Sequence, residues 1–380
     1  MGLHDLAAPA SPLGYPTPFW FIELFKVLGF SLHVVPMNLW YAGTLLAVIL
    51  GTFGRGHAKT VGYHVARALP FALAFGINFG IIPLLFIQVA YYQFFYPATI
   101  LIAWPWFAVF WIVMVAYFSV YLYRLALEGR GPVNVGRKLG WLSAGAFIVV
   151  GFIFANALSL MAGPGRWWRI FKGANIAGSA TGLALNWTDS TLIPRWLFMF
   201  SLAIMTTAVF VVVDAAFLSG RDEEDYRHYA RRFSFLLYSA GLLLFIAFGS
   251  WYIFGTRPFA LPLAIKSPIM RIIFPLTMLS PGLPWLLLVF QRKGLSLKLA
   301  TLTGFAQFGV IVLNSTSRQW LQNVELSSYA NLAARPVDLQ LGALIVFLAM
   351  FAVGLGLIAW MLSKVFEANR KEASNVEQTR

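Results

Sequence analysis

The chain has 380 residues, of which 59% are hydrophobic and only 11% charged, with a net charge of +14 and no cysteine. A soluble domain carries about a quarter charged residues, so this composition belongs in lipid. The missing thiols exclude disulfides, iron–sulfur clusters and thiolate-bound zinc. The basic residues fall in short loops between apolar runs, which points to membrane topology and not to nucleic acid.

Residues 1–17 lack the basic head, apolar core and small-residue cleavage site of a signal peptide, so insertion is expected to rely on the first helix itself. Residues 1–27 read as a tail ending in a short interfacial amphipathic helix at Phe19–Val27, where Glu23 and Lys26 lie among aromatics. A spanning helix needs about 20 mostly apolar residues. Such runs fall at 28–52, 69–93, 99–123, 139–163, 193–219, 233–256, 269–290, 299–316 and 339–363, giving a membrane domain over 28–363. The eighth is short and ends in the polar run Asn314–Arg318. Residues 364–380 form a cytoplasmic tail.

Loop charge sets the orientation. Eighteen of the 28 Lys and Arg lie after the first, third, fifth and seventh spans or in the tail, and ten lie on the other side. The richer side is cytoplasmic, which puts the N-terminus outside and the C-terminus inside. The run RDEEDYRHYARR (221–232) reads as a solvated cytoplasmic loop. The longest external connection, Gly163 to Pro194, contains GRWWRIFKGANIAGSATGLALNWTD. Its paired tryptophans suit a head-group-level segment; its Arg166, Arg169 and Lys172 also suit docking of an external partner.

Ionisable groups inside a membrane are costly and therefore informative. Among the carboxylates only Asp214 falls within a predicted span, and the plain expectation is that it reaches back to loop arginines. His57, His64 and His228 read as solvated loop residues, whereas His33 lies inside the first span in FSLHVVPMNLWYAG. Such an imidazole either bonds a neighbouring carbonyl or ligates a haem iron. The amides Asn38, Asn78, Gln88, Gln93, Asn156, Gln307 and Asn314 are expected to bond between helices, with a transport site as the other use of such groups.

In order along the chain come LHVVPMNLWYAG, FGINFG (Phe75–Gly80), the Ala155–Asn156 pair, Leu185–Trp187 and the Ser219–Asp222 turn. In this order the chain resembles subunit I of the cytochrome bd quinol oxidase superfamily from about residue 20 to residue 255. The resemblance implies an all-α integral membrane fold of two four-helix bundles plus a peripheral ninth helix, in a bacterial inner membrane. It matches His33 to the ligand of the high-spin haem b; Arg195 and Arg271, at a suitable depth on the same side, are expected as propionate partners. The histidine of the low-spin haem b falls at about Phe198, and its methionine partner has only a loose counterpart in Met270. The catalytic glutamates fall near Ala90 and within Trp106–Tyr117, and only Gly255–Ser267 stands where the quinol-binding loop belongs.

These departures predict a membrane subunit of an electron-transfer complex that is not itself an oxygen reductase, with one b haem on His33 and at most a part in a membrane oxidoreductase. Quinone use stays open. Its partners are lipid, other membrane subunits and a c-type cytochrome or periplasmic redox subunit. The alternatives are a haem-free structural anchor for redox subunits and a transporter or channel.

Overall fold

A computed structural model describes residues 9, 11–217, 224–291 and 294–378, with the backbone alone for residue 362 and residues 365–378. The chain is 82% helical with almost no sheet, so the protein is an all-α membrane protein. Among the described residues nine helices are long and apolar enough to cross a bilayer. We label them α1 (Phe19–Phe53), α2 (His57–Ala90), α3 (Ala103–Leu127), α4 (Val133–Ala162), α5 (Leu192–Phe217), α6 (Glu224–Gly255), α7 (Met270–Phe290), α8 (Leu297–Leu326) and α9 (Leu341–Met361). All nine expected spans are present. The Ser219–Asp222 turn lies outside the described residues.

Two boundaries differ from the sequence reading in ways that matter. The segment expected to lie apart as an interfacial helix is continuous with α1, and Lys26 within it is 5% exposed. The eighth helix does not stop at the polar run but continues through it to Leu326. Both extensions have one cause: their polar side chains find partners on each other, so the helices need not end where hydropathy falls.

The residues from Ile22 to Leu332 form one unit. Within it α1–α4 pack mainly on one another and α5–α8 on one another, and α5 meets α1 and α4 where the two groups join. Small residues allow the closest approaches. A Cβ on Gly151 of α4 would come within 2.6 Å of the Tyr41 ring. Just past Pro36, a π-turn at Leu39–Gly43 re-aims Trp40 onto Phe147 (ring centroids 4.8 Å apart) and Tyr41 onto Phe200 (5.1 Å). At the join, Asn38 Nδ2 and Gln307 Nε2 both donate to Thr206 Oγ1 (2.9 and 3.1 Å), and the Tyr238 hydroxyl donates to Pro281 O at 2.9 Å.

Ser11–Phe21 and the chain from Ala333 onward form a second unit. Tyr15 N donates to Pro336 O and Asp338 N to Tyr15 O, each at 2.9 Å. Gly14 takes φ +70° there, and a Cβ would lie 2.2 Å from Pro336 O. Only glycine meets both conditions.

The cysteine-free chain makes orientation directly testable. Arg130, whose side chain is 74% exposed between α3 and α4, and exposed Ser179, between α4 and α5, are expected on opposite faces. Arg130→Cys and Ser179→Cys should label with a membrane-impermeant maleimide from opposite sides; labelling from one side would overturn the topology.

Candidate functional site

The loop from Gly163 to Pro194 identifies one end of the Ile22–Leu332 unit, the end read as external. Near that end α8 carries Asn314, Ser317, Arg318, Leu321, Gln322 and Glu325 at helical spacing, and all six line a cavity of about 220 Å³. Arg195, Phe198 and Met199 of α5, Phe245 and Tyr252 of α6, and Thr277 and Met278 of α7 complete much of its wall. This periodicity is the signal that the sequence reading missed, because it treated the polar run as the end of a span.

Two guanidiniums share one carboxylate here, and a third stands near them without one. Arg257 Nε donates to Glu325 Oε1, and Arg195 Nη2 stands 3.9 Å from Glu325 Oε2. Arg257 and Arg195 are 3% and 8% exposed. A π-turn at Trp251–Gly255 brings in Tyr252, whose ring centre lies 4.4 Å from the Arg257 guanidinium and 5.6 Å from that of Arg195. Arg318 is different. Its guanidinium lies over the Phe30 ring at 4.1 Å, and among the described residues no carboxylate pairs with it.

A second polar cluster adjoins the first across α8. Gln319 Nε2 donates to the Tyr91 hydroxyl (2.6 Å), that hydroxyl donates to Asn323 Oδ1 (2.6 Å), and Asn323 Nδ2 donates to Glu23 Oε1. Lys26 Nζ donates to Gln322 Oε1 at 2.9 Å and sits 3.8 Å from the centre of the Tyr91 ring. The sequence reading admits one intramembrane carboxylate; Glu23 and Glu325 are two more, both inside helices.

His33 lies apart from the cavity, with Phe30 tilted against its ring at 6.4 Å. Its Nδ1 is 2.8 Å from the Gly76 carbonyl of α2. A carbonyl can only accept, so Nδ1 carries the proton and Nε2 presents its lone pair. Gly80 keeps room for the ring, since a Cβ there would lie 2.9 Å from it. FGINFG thus supplies both the acceptor and the space.

The other expected site residues fall elsewhere. Arg195 lines the cavity, but Arg271 is exposed at the start of α7 and does not line it; Arg318 stands where a second cation was sought. Phe198 occupies the matched histidine position, packed on Phe245 at 4.5 Å, and a Cβ on Gly249 would lie 2.7 Å from its ring. Met270 is buried against Ala264 and Phe274. Asp214 Oδ2 lies 2.9 Å from Nδ1 of His64, which belongs to α2 and is not a solvated loop residue. Tyr226 stacks on that imidazole at 5.2 Å.

The long loop is built into the structure more firmly than its composition suggests. Trp167 is fully buried, with Nε1 donating to Leu160 O at 2.8 Å, and so is no head-group anchor. Arg166 Nη1 pairs with Asp189 Oδ1 at 2.9 Å, which leaves Arg169 and Lys172 as the exposed cations of the proposed docking face. Asn186 N donates to Asn156 Oδ1 (3.2 Å) and Asn186 Nδ2 to Ser159 Oγ (3.0 Å), so the Ala-Asn and Leu-Asn-Trp motifs tie loop to helix. Burial alone would raise the Asp189 carboxyl, but the Arg166 guanidinium and the Thr191 backbone N–H outweigh it and hold the group below its ordinary value.

No protein-family model matches this chain, and no curated protein matches it.

Proposed function

We propose that the chain is an integral membrane subunit of an electron-transfer complex in a bacterial inner membrane, in which His33 would hold a b-type haem. The observation that carries this reading is the tautomer of His33: Nδ1 is committed to the Gly76 carbonyl at 2.8 Å, and Nε2 has no hydrogen-bond partner among the described residues. A second-sphere carbonyl on the far nitrogen is how metal-ligating histidines are held. When bound, the haem supplies one-electron transfer; the chain supplies the oriented imidazole, the Gly80 clearance and the apolar surround. Exposed Arg169 and Lys172 fit a c-type cytochrome or periplasmic redox subunit with an acidic face.

A haem-free anchor is the second reading, favoured by the aromatic face of α3. Trp104, Phe107, Phe110 and Phe118 are 58–63% exposed, a surface for lipid or for other membrane subunits. The transporter reading is weakened because Asn38, Asn156 and Gln307 are already bonded to neighbouring elements.

A pyridine haemochrome assay on the protein purified with its partners separates the two. The expected result is one haem b, lost in His33→Ala and also in Gly80→Val, where the added side chain pushes the intact imidazole off Gly76. The nine-helix fold should remain inserted in both. The same preparation is expected not to consume oxygen with a quinol, since the positions matched to the catalytic glutamates carry no carboxylate. Absence of haem b from the unaltered protein would give the anchor reading the lead.

A further inference from the structure

Guanidiniums stay charged at any ordinary pH, so the Arg195, Arg257, Arg318 and Glu325 group carries a net charge of +2. Arg257 and Glu325 satisfy each other, leaving Arg195 a single long ion-pair contact at 3.9 Å with that same carboxylate, beside the Tyr252 ring at 5.6 Å. Among the described residues Arg195 Nε is buried with no hydrogen-bond partner, and Arg318 meets the face of Phe30 and pairs with no carboxylate. Isolated charge in low dielectric is expensive, and a protein retains it where something of opposite sign comes to it. Both side chains open onto a cavity whose remaining wall is largely apolar: Phe198, Phe245 and Met278. Free inorganic phosphate would gain nothing from those rings. An oxyanion joined to a hydrocarbon tail uses both halves of the cavity.

We propose that this cavity binds an anionic membrane lipid, with its phosphate between Arg195 and Arg318 and its acyl chain along Phe198, Phe245 and Met278. The site does not depend on the haem reading of His33, which does not line the cavity. Glu325 also faces the cavity and opposes an anion, but Arg257 holds it neutralised. A net-neutral zwitterionic lipid brings its own cation next to the guanidiniums and should be discriminated against.

Native mass spectrometry of the full chain in detergent tests this, with phosphatidylglycerol, phosphatidylcholine or inorganic phosphate added in turn. Phosphatidylglycerol should bind at least about tenfold more tightly than phosphatidylcholine, and Arg318→Gln should remove about that factor, as expected for a charge-assisted hydrogen bond. Arg318→Lys should retain most of the affinity. Should Arg318→Gln not fold, Met278→Trp, which fills the cavity from its apolar wall, should lower phosphatidylglycerol binding instead. Equal binding of the two lipids, or phosphatidylglycerol binding unchanged in Arg318→Gln or in Met278→Trp, overturns the proposal. Binding of inorganic phosphate without phosphatidylglycerol would make the cavity a free-anion site and would also overturn it.

Discussion

Arg257→Ala is expected to destabilise the protein by about 3–5 kcal/mol, the cost of breaking a buried ion pair from one side. The two side chains are 4% and 11% exposed, so little water is at hand to solvate the Glu325 carboxylate once its partner is gone. Arg195, at 3.9 Å, is too far to replace the lost bond without moving. Thermal denaturation in detergent should show the loss. The double variant Arg257→Met/Glu325→Leu should recover much of it, because removing both charges leaves neither one stranded. If the single and double variants were equally damaged, packing and not charge would be the main contribution of Arg257.

Arg166→Ala should be nearly as damaging, by about 3 kcal/mol, because the Asp189 carboxylate is fully buried against it. The effect has a pH signature. Asp189 titrates below its ordinary value of 3.8, so the pair contributes its full stability above that value and loses it as pH falls through the lower, folded value. Amide exchange in residues 164–191 of the unaltered protein should therefore be flat from pH 7 to about pH 5, after correction for intrinsic rates, and rise only below about pH 4. In Arg166→Ala the protection should already be lost at neutral pH. A loop that loosened near pH 6 would point to a histidine, and Asp189 would not be the controlling group.

The fold was legible because lipid writes a coarse code, one apolar run of about 20 residues for each crossing. All nine runs were visible, and the parity of the loop charges followed from them. The interior chemistry was less legible for the same reason. Hydropathy treats Glu23, Lys26, Arg318 and Glu325 as reasons to end a helix, whereas the fold sets Glu23 against Asn323 and Lys26 against Gln322, 300 and 296 residues away, and Glu325 against Arg257, 68 residues away. Local composition carries no trace of such a pairing. The spacing of residues 314–325 does carry one, at three and four residues, the mark of a single helical face. His33 was conspicuous from its surroundings alone, but the role of Gly80 required the approach of α2 to become visible.

The bridge between Tyr15 and Val337 bears on the order of assembly. Tyr15 is synthesised before α1, yet the backbone it bonds to is made only after α8. Until then the backbone that Tyr15 bonds to does not exist, and closing so long a loop carries an entropic cost that local turns do not. Formation of that bridge is thus a late event in biogenesis. A chain stopped after α8 should leave Tyr15 open to protease, and the completed chain should protect it.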